Sequence, residues 1–153
     1  MLGLNRFLVA VQRLLASRVK GETNSLQANL IRRAIAESLG TAFLLAAVVG
    51  SGIMGQRLAG GNDGIALLAN TVATGAAFFT LISTFGPISG AHFNPAVTFA
   101  ESFQGKLAWR DAFVYIVVQV IGAFIGVAVA NIMFGLPVFF ASTKVRTGGA
   151  QMR

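Results

Sequence analysis

The sequence predicts an all-α membrane protein with three transmembrane helices and one re-entrant half-helix. Three observations carry that expectation. The chain is 55% hydrophobic and only 11% charged, where a soluble domain carries roughly 25% charged residues. It holds three long stretches almost free of charge. Between the second and third lies SGAHFNPAVTFAESF (residues 89–103), an apolar stretch interrupted by Asn-Pro. With a mean hydropathy of +0.72, a soluble fold of 153 residues has too little interior to hide its apolar surface. The lipid bilayer is the fitting solvent.

Residues 1–33 form a basic extension. Leu4, Phe7, Leu8, Val11, Leu15 and Val19 recur at helical spacing, with Arg6, Arg13 and Lys20 on another face. Three readings stay open: a cytosolic tail, a helix lying on an anionic membrane surface, and an organelle-targeting segment, since no acid precedes Glu22.

The spans follow. Residues 34–55 are 22 residues with Glu37 as the only charge; residues 65–85 are 21 with none; residues 112–134 are 23 with none. A hydrocarbon core of about 30 Å needs about 20 helical residues, and backbone polar groups in lipid must pair internally. Residues 60–64 (GGNDG) read as a turn between spans rather than a phosphate loop, because no suitable helix and Lys follow.

Residues 86–107 are too broken and too short to span, yet residues 88–103 are too apolar for an exposed loop. They contain Pro87, Pro95, Glu101, Gln104 and Lys106. A re-entrant segment fits, with an extended lead-in permitted by Gly86 and Gly90 and a short helix leading out. Irregular backbone survives at membrane depth only when buried in protein or lining a water-filled cavity. Asn94 is a strong helix N-cap, and Pro95 suits the first helical position. Eight to ten helical residues rise about 12–15 Å, half the hydrocarbon thickness. The electropositive end of such a helix sits at the bilayer centre and disfavours cations. In an ordinary buried loop the same Asn-Pro would be a helix cap and nothing more.

Charge and chemistry narrow the function. The net charge is +7, but the basic residues flank apolar spans rather than forming one compact face, so nucleic acid is not expected. Six of the twelve, Arg6, Arg13, Arg18, Lys20, Arg32 and Arg33, precede the first span. Together with Lys106 and Arg110 they place the leader and the re-entrant segment on the cytoplasmic side, leaving the tail (residues 135–153) extracytoplasmic. With one His, five carboxylates and no Cys, no enzyme, metal site or cofactor is expected.

SGAHFNPAVT resembles the first Asn-Pro-Ala signature of the major intrinsic protein (aquaporin and aquaglyceroporin) family. AESLGTAFLL (residues 36–45) resembles that family's first helix, and YIVVQVIGAFIG (residues 115–126) its third. The resemblance implies one half of an aquaporin-like inverted repeat in a plasma or inner membrane, passing water and small neutral solutes. It implies that Asn94 is a pore donor, that Pro95 and Ala96 complete the signature, and that Gly90, Ala91 and His92 offer lumen-facing carbonyls. His92 reads either as a lining group near the cytoplasmic side or as a conformational anchor. Glu37, a charge inside an apolar span, would brace the re-entrant loop through backbone N–H groups; the alternative is an interfacial acid beside Arg33. Gln119 would be a second brace. Gly122 and Gly126 make a small-residue face for close helix packing. Thr74 falls where water-selective members usually carry Phe and glycerol channels usually Trp. Its small side chain implies a wider filter, open to glycerol-like polyols or neutral metalloid acids.

The family has two inverted halves, and this sequence carries one. STKVRTGGAQMR (residues 142–153) resembles the loop leading to a fourth helix. The expectation is a truncated chain that works as a half-channel, as a homo-oligomer (a tetramer by resemblance), or with a complementary second half. Two alternatives compete. One is a non-conducting fragment associating with complete channels. The other is a secondary-transporter fragment, which would need ionisable groups deep in the spans beyond Glu37.

Overall fold

The computed structural model describes the backbone of residues 2–139 and the side chains of residues 29–139. The described residues form helices α1 (Leu2–Leu58), α2 (Asp63–Ser89), α3 (Pro95–Phe103) and α4 (Trp109–Met133), with no strand among them. Among the described residues, three helical segments are long and apolar enough to cross a membrane: Asn29–Leu58 within α1, Asp63–Ser89 and Trp109–Met133. The fold is all-helical and corresponds to half of an aquaporin fold. Its α1 packs along both α2 and α4, and the short α3 lies against α4.

The basic leader and the first span share one helix, since α1 runs unbroken from Leu2. The amphipathic face of the leader and the tail beyond residue 139 lie outside the described side chains.

Packing is inverted relative to a soluble bundle. On α1, Ile31, Ile35, Leu39 and Phe43 are exposed at four-residue spacing, while Ala34, Glu37, Gly40 and Thr41 are buried. Large apolar side chains suit lipid, and small residues let helix backbones approach. Gly122 and Gly126 of α4 show why: a Cβ on either would overlap the backbone carbonyl of Ser38 or Ala42 in α1. The small-residue face is therefore internal core.

The turn between α1 and α2 occupies residues 59–62, with Gly60 and Gly61 at φ +57° and +88°. The Asn62 side chain caps α2 by accepting from the Ile65 amide at 3.1 Å.

The sequence expectation needs one correction. The extended lead-in does not start at Gly86. Both Gly86 and Pro87 belong to α2, which continues to Ser89. Pro87 gives up one backbone hydrogen bond and strains the turn before it, but so near the helix end the chain tolerates it. The stop is at Gly90, whose left-handed φ of +92° and amide bond to the Gly86 carbonyl (3.0 Å) make a C-cap. The irregular stretch is thus only residues 90–94.

The packing makes a direct prediction. Gly122→Ala drives a methyl into the Ser38 carbonyl and should destabilise the fold by about 1–3 kcal/mol. Gly75→Ala on α2, where nothing among the described residues lies within 4 Å of the added carbon, should stabilise its helix by about 0.5–1 kcal/mol. Thermal unfolding in detergent micelles checks both; equal effects would refute the close α1–α4 contact.

Candidate functional site

The site is built around one buried carboxylate. Glu37 is fully buried in α1. Its Oε1 accepts from the Ser89 hydroxyl (2.6 Å) and the His92 amide (3.0 Å). Its Oε2 accepts from the Phe93 amide (2.7 Å) and from Gln119 Nε2 (2.8 Å). One side chain therefore ties together α1, the end of α2, the irregular stretch and α4. Arg33 does not pair with Glu37. It bridges to Asp111 (3.2 Å) and donates to the Tyr115 hydroxyl (2.8 Å), which in turn donates to the Ser89 carbonyl (2.9 Å).

These bonds hold a backbone that ordinary residues resist. Ala91 and Phe93 have φ of +52° and +48°, a region costly for a residue with a Cβ, by about 1–3 kcal/mol each. Ala91 N–H donates to the Ser89 hydroxyl at 3.2 Å. The Phe93 ring wedges over Gly40, where any Cβ would overlap it, and meets Phe85 edge-on with centroids 6.1 Å apart.

Peptide geometry turns this anchoring into a pattern. In a trans peptide the C=O of one residue points opposite to the N–H of the next. The amides of Ala91, His92 and Phe93 are drawn to Ser89 and Glu37. The carbonyls of Gly90, Ala91 and His92 therefore point away from those anchors. None of the three accepts a hydrogen bond among the described residues.

Asn94 follows with extended backbone (φ −152°, ψ 125°), and its Oδ1 caps α3 by accepting from the Ala96 amide at 2.8 Å. Pro95 occupies the start of the helix. Asn94, Pro95 and Ala96 are exposed, and Asn94 Nδ2 makes no hydrogen bond among the described residues. The nine residues of α3 rise about 13 Å.

His92 is half-buried, with Nδ1 3.1 Å from Thr98 Oγ1 and its ring edge-on to Tyr115 at 5.5 Å. Fully buried Gln119 donates from Nε2 to Thr98 Oγ1 at 2.9 Å as well as to Glu37. Thus Glu37, Gln119, Gly90, Ala91, His92 and Asn94 gather in one region. Thr74 stands apart. It lies on α2, about 22 Å of helix rise before Ser89. It is half-buried, and its hydroxyl is buried without a partner among the described residues. The surface it presents is therefore carried by its other atoms.

Sequence reasoning missed Ser89, Phe93, Gly40, Thr98 and Tyr115 as parts of this site. A Gly inside an apolar span was the available signal for Gly40; the others looked like ordinary helix or loop residues. A separate cavity of about 620 Å³ lies among α1, α2 and α4, lined in part by Gly52, Arg57, Asn70 and Asn131. Its polar groups tie segments together: Asn70 of α2 to the Val48 carbonyl of α1 (2.7 Å), Asn131 of α4 to the Val138 carbonyl (3.1 Å) and Arg57 of α1 to the Phe134 carbonyl (2.8 Å).

Residues 24–150 match the family described as Major intrinsic protein. The chain belongs to the major intrinsic protein family. It is 53% identical over 123 residues to aquaglyceroporin AqpS of Rhizobium meliloti (strain 1021), covering 80% of this chain and 52% of that one. It is 36% identical to aquaporin NIP1-1 of Zea mays over 69% of this chain and 36% of the relative. Against aquaporin NIP1-1 of Arabidopsis thaliana it is 34% identical over 73% of this chain and 37% of the relative. The chain thus spans about half the length of the first of these relatives and less of the others. Family membership and the three membrane-length helices make it a multi-pass membrane protein of a channel family, not of an enzyme family.

Removing the carboxylate should cost more than removing the half-exposed ion pair. Glu37→Gln sets an amide group against backbone donors and should destabilise the fold by about 1–3 kcal/mol for each buried donor left unpaired. Asp111→Asn, on a partly exposed pair, should cost at most about 1 kcal/mol. Unfolding midpoints in detergent check this; a Glu37→Gln loss no larger than that of Asp111→Asn would refute the brace.

Proposed function

We propose that the chain is the first-half repeat of a passive transmembrane channel for water and small neutral solutes. The observation that supports this best is the arrangement of residues 90–94. Three amides are held inward, the carbonyls of Gly90, Ala91 and His92 are turned away, and Asn94 follows with its side-chain NH₂; none of these carbonyls nor that NH₂ has a partner among the described residues. Acceptors followed by a donor suit a hydroxyl-bearing neutral molecule. The electropositive N-terminus of α3 disfavours cations at the same place. Glu37 and Gln119 support the lining rather than contacting solute.

On this reading residues 34–134 form the repeat, residues 1–33 a cytoplasmic extension, and residues 135–153 an extracytoplasmic tail. The membrane is the plasma or inner membrane, and the channels associate as homo-oligomers. The wall opposite Asn94 comes from a complementary inverted repeat. The name of the Rhizobium relative, an aquaglyceroporin, supports polyols among the solutes. The small side chain of Thr74 supports a wide filter, with its methyl rather than its hydroxyl towards the path.

Osmotic swelling of vesicles tests the proposal. Liposomes holding this chain with the second-half repeat of a similar aquaglyceroporin should take up glycerol and water faster than empty vesicles. A rate no faster than that of empty vesicles would favour a non-conducting membrane protein. In the conducting assembly, Thr74→Phe should lower glycerol flux about tenfold, a barrier rise of about 1.4 kcal/mol, and water flux by less. Equal loss of both would refute the role of Thr74 as a filter residue.

A further inference from the structure

We propose that Gln119 and Thr98 fix the His92 ring as the tautomer with an accepting Nδ1 and a donating Nε2–H. The chain has a single His, and hydrogen positions on such a ring follow from its partners. Here the partners form a chain whose direction can be worked out.

The chain starts at Glu37. An ionised carboxylate can only accept, and the amides of His92 and Phe93 can only donate to it. Against an ionised Glu37 the Gln119 group 2.8 Å from Oε2 is the NH₂, because an amide oxygen there would set two acceptors together. Its second hydrogen reaches Thr98 Oγ1 at 2.9 Å. This orientation leaves Gln119 Oε1 buried with no partner among the described residues, in exchange for using both hydrogens.

Thr98 has one hydroxyl proton. It already accepts from Gln119, and its other contact is His92 Nδ1 at 3.1 Å. The proton therefore points at Nδ1, which must be the bare nitrogen. A neutral imidazole with an accepting Nδ1 carries its hydrogen on Nε2. Thr98, Gln119 and Glu37 are all fully buried, so bulk water does not scramble the order. The edge contact with Tyr115 holds the ring plane. Nε2 itself makes no hydrogen bond among the described residues, and His92 is only half-buried. Thr98 and Gln119 are thus positioning residues, acting through His92.

The same heavy-atom positions admit one opposite order. Glu37 would be protonated on Oε2, the Gln119 amide turned over, Thr98 would donate to Gln119, and Nδ1–H would donate to Thr98. The two orders put the ring hydrogen on different nitrogens, which makes the assignment measurable. The use of Nε2–H as a donor to a passing solute, beside the Gly90–His92 carbonyls, rests on the channel reading; the tautomer does not.

The test is solid-state NMR of the full chain in lipid bilayers at neutral pH, with histidine labelled with nitrogen-15. One imidazole contributes. The expected spectrum has an unprotonated, hydrogen-bonded Nδ1 and a protonated Nε2. Thr98→Val should lose the single tautomer, and Thr98→Ser should restore it. Hydrogen on Nδ1 in the unsubstituted chain, a doubly protonated ring, or an unchanged single tautomer in Thr98→Val would each overturn the proposal. If Thr98→Val does not fold, the unsubstituted and Thr98→Ser spectra still decide. A wrong tautomer leaves the channel reading standing, and absent flux with the expected spectrum does the reverse.

Discussion

The structure depends on one carboxylate placed where a charge is expensive. Glu37 sits inside a membrane-length helix with no exposed surface. Such a group survives only with its acceptor positions filled. Its four donors come from three places in the chain: the last residue of α2, two consecutive amides of the irregular stretch, and α4. Satisfying the charge and folding the loop are therefore one event. The left-handed conformations of Ala91 and Phe93 persist because the amide of Ala91 is held by Ser89 and those of His92 and Phe93 by Glu37.

Helix packing serves that placement. Gly40, Gly122 and Gly126 are the points where a Cβ would push α1 away from Phe93 or from α4. With α1 close to both, the short reach of Glu37 and Gln119 is enough to meet the loop backbone. Outside this contact the helices are bulky and apolar, as at Phe43, Phe79 and Phe124. Lipid is as apolar as those side chains, so they contribute little to helix association. The small residues and the buried polar chain carry the specificity.

Parts of the fold that obey local rules were legible in the sequence, and parts that depend on distant partners were not. The three spans follow from length and apolarity, and the α3 start follows from the capping chemistry of Asn94 and Pro95. Glu37 and Gln119 were legible as polar residues in apolar helices, and the family resemblance supplied their role as braces. The end of α2 was misread because Gly86-Pro87 is a strong local breaker. Its effect is absorbed in a final turn that Gly90 terminates. The positive φ at Ala91 and Phe93 had no local signal, since it is imposed by Glu37 across more than fifty residues of sequence. Thr98 reads as an ordinary helix residue, and only its two buried neighbours give it a part.

The short helix and the orientation of the loop before it consequently rest on one linked set of bonds. A nine-residue helix is marginal in isolation, so α3 owes its existence to the cap at Asn94 and to the contacts Thr98 makes with Gln119 and His92. The bonds to Glu37 and Ser89 decide which way the loop peptides face. Each amide drawn inward turns the preceding carbonyl outward, so the acceptors at Gly90, Ala91 and His92 are a geometric consequence of the brace. They are not an independent feature of the loop. A substitution that weakens the Glu37 cluster without unfolding the chain would release those peptides to rotate. On the channel reading proposed above, it would change what a solute meets before it changed whether the protein folds.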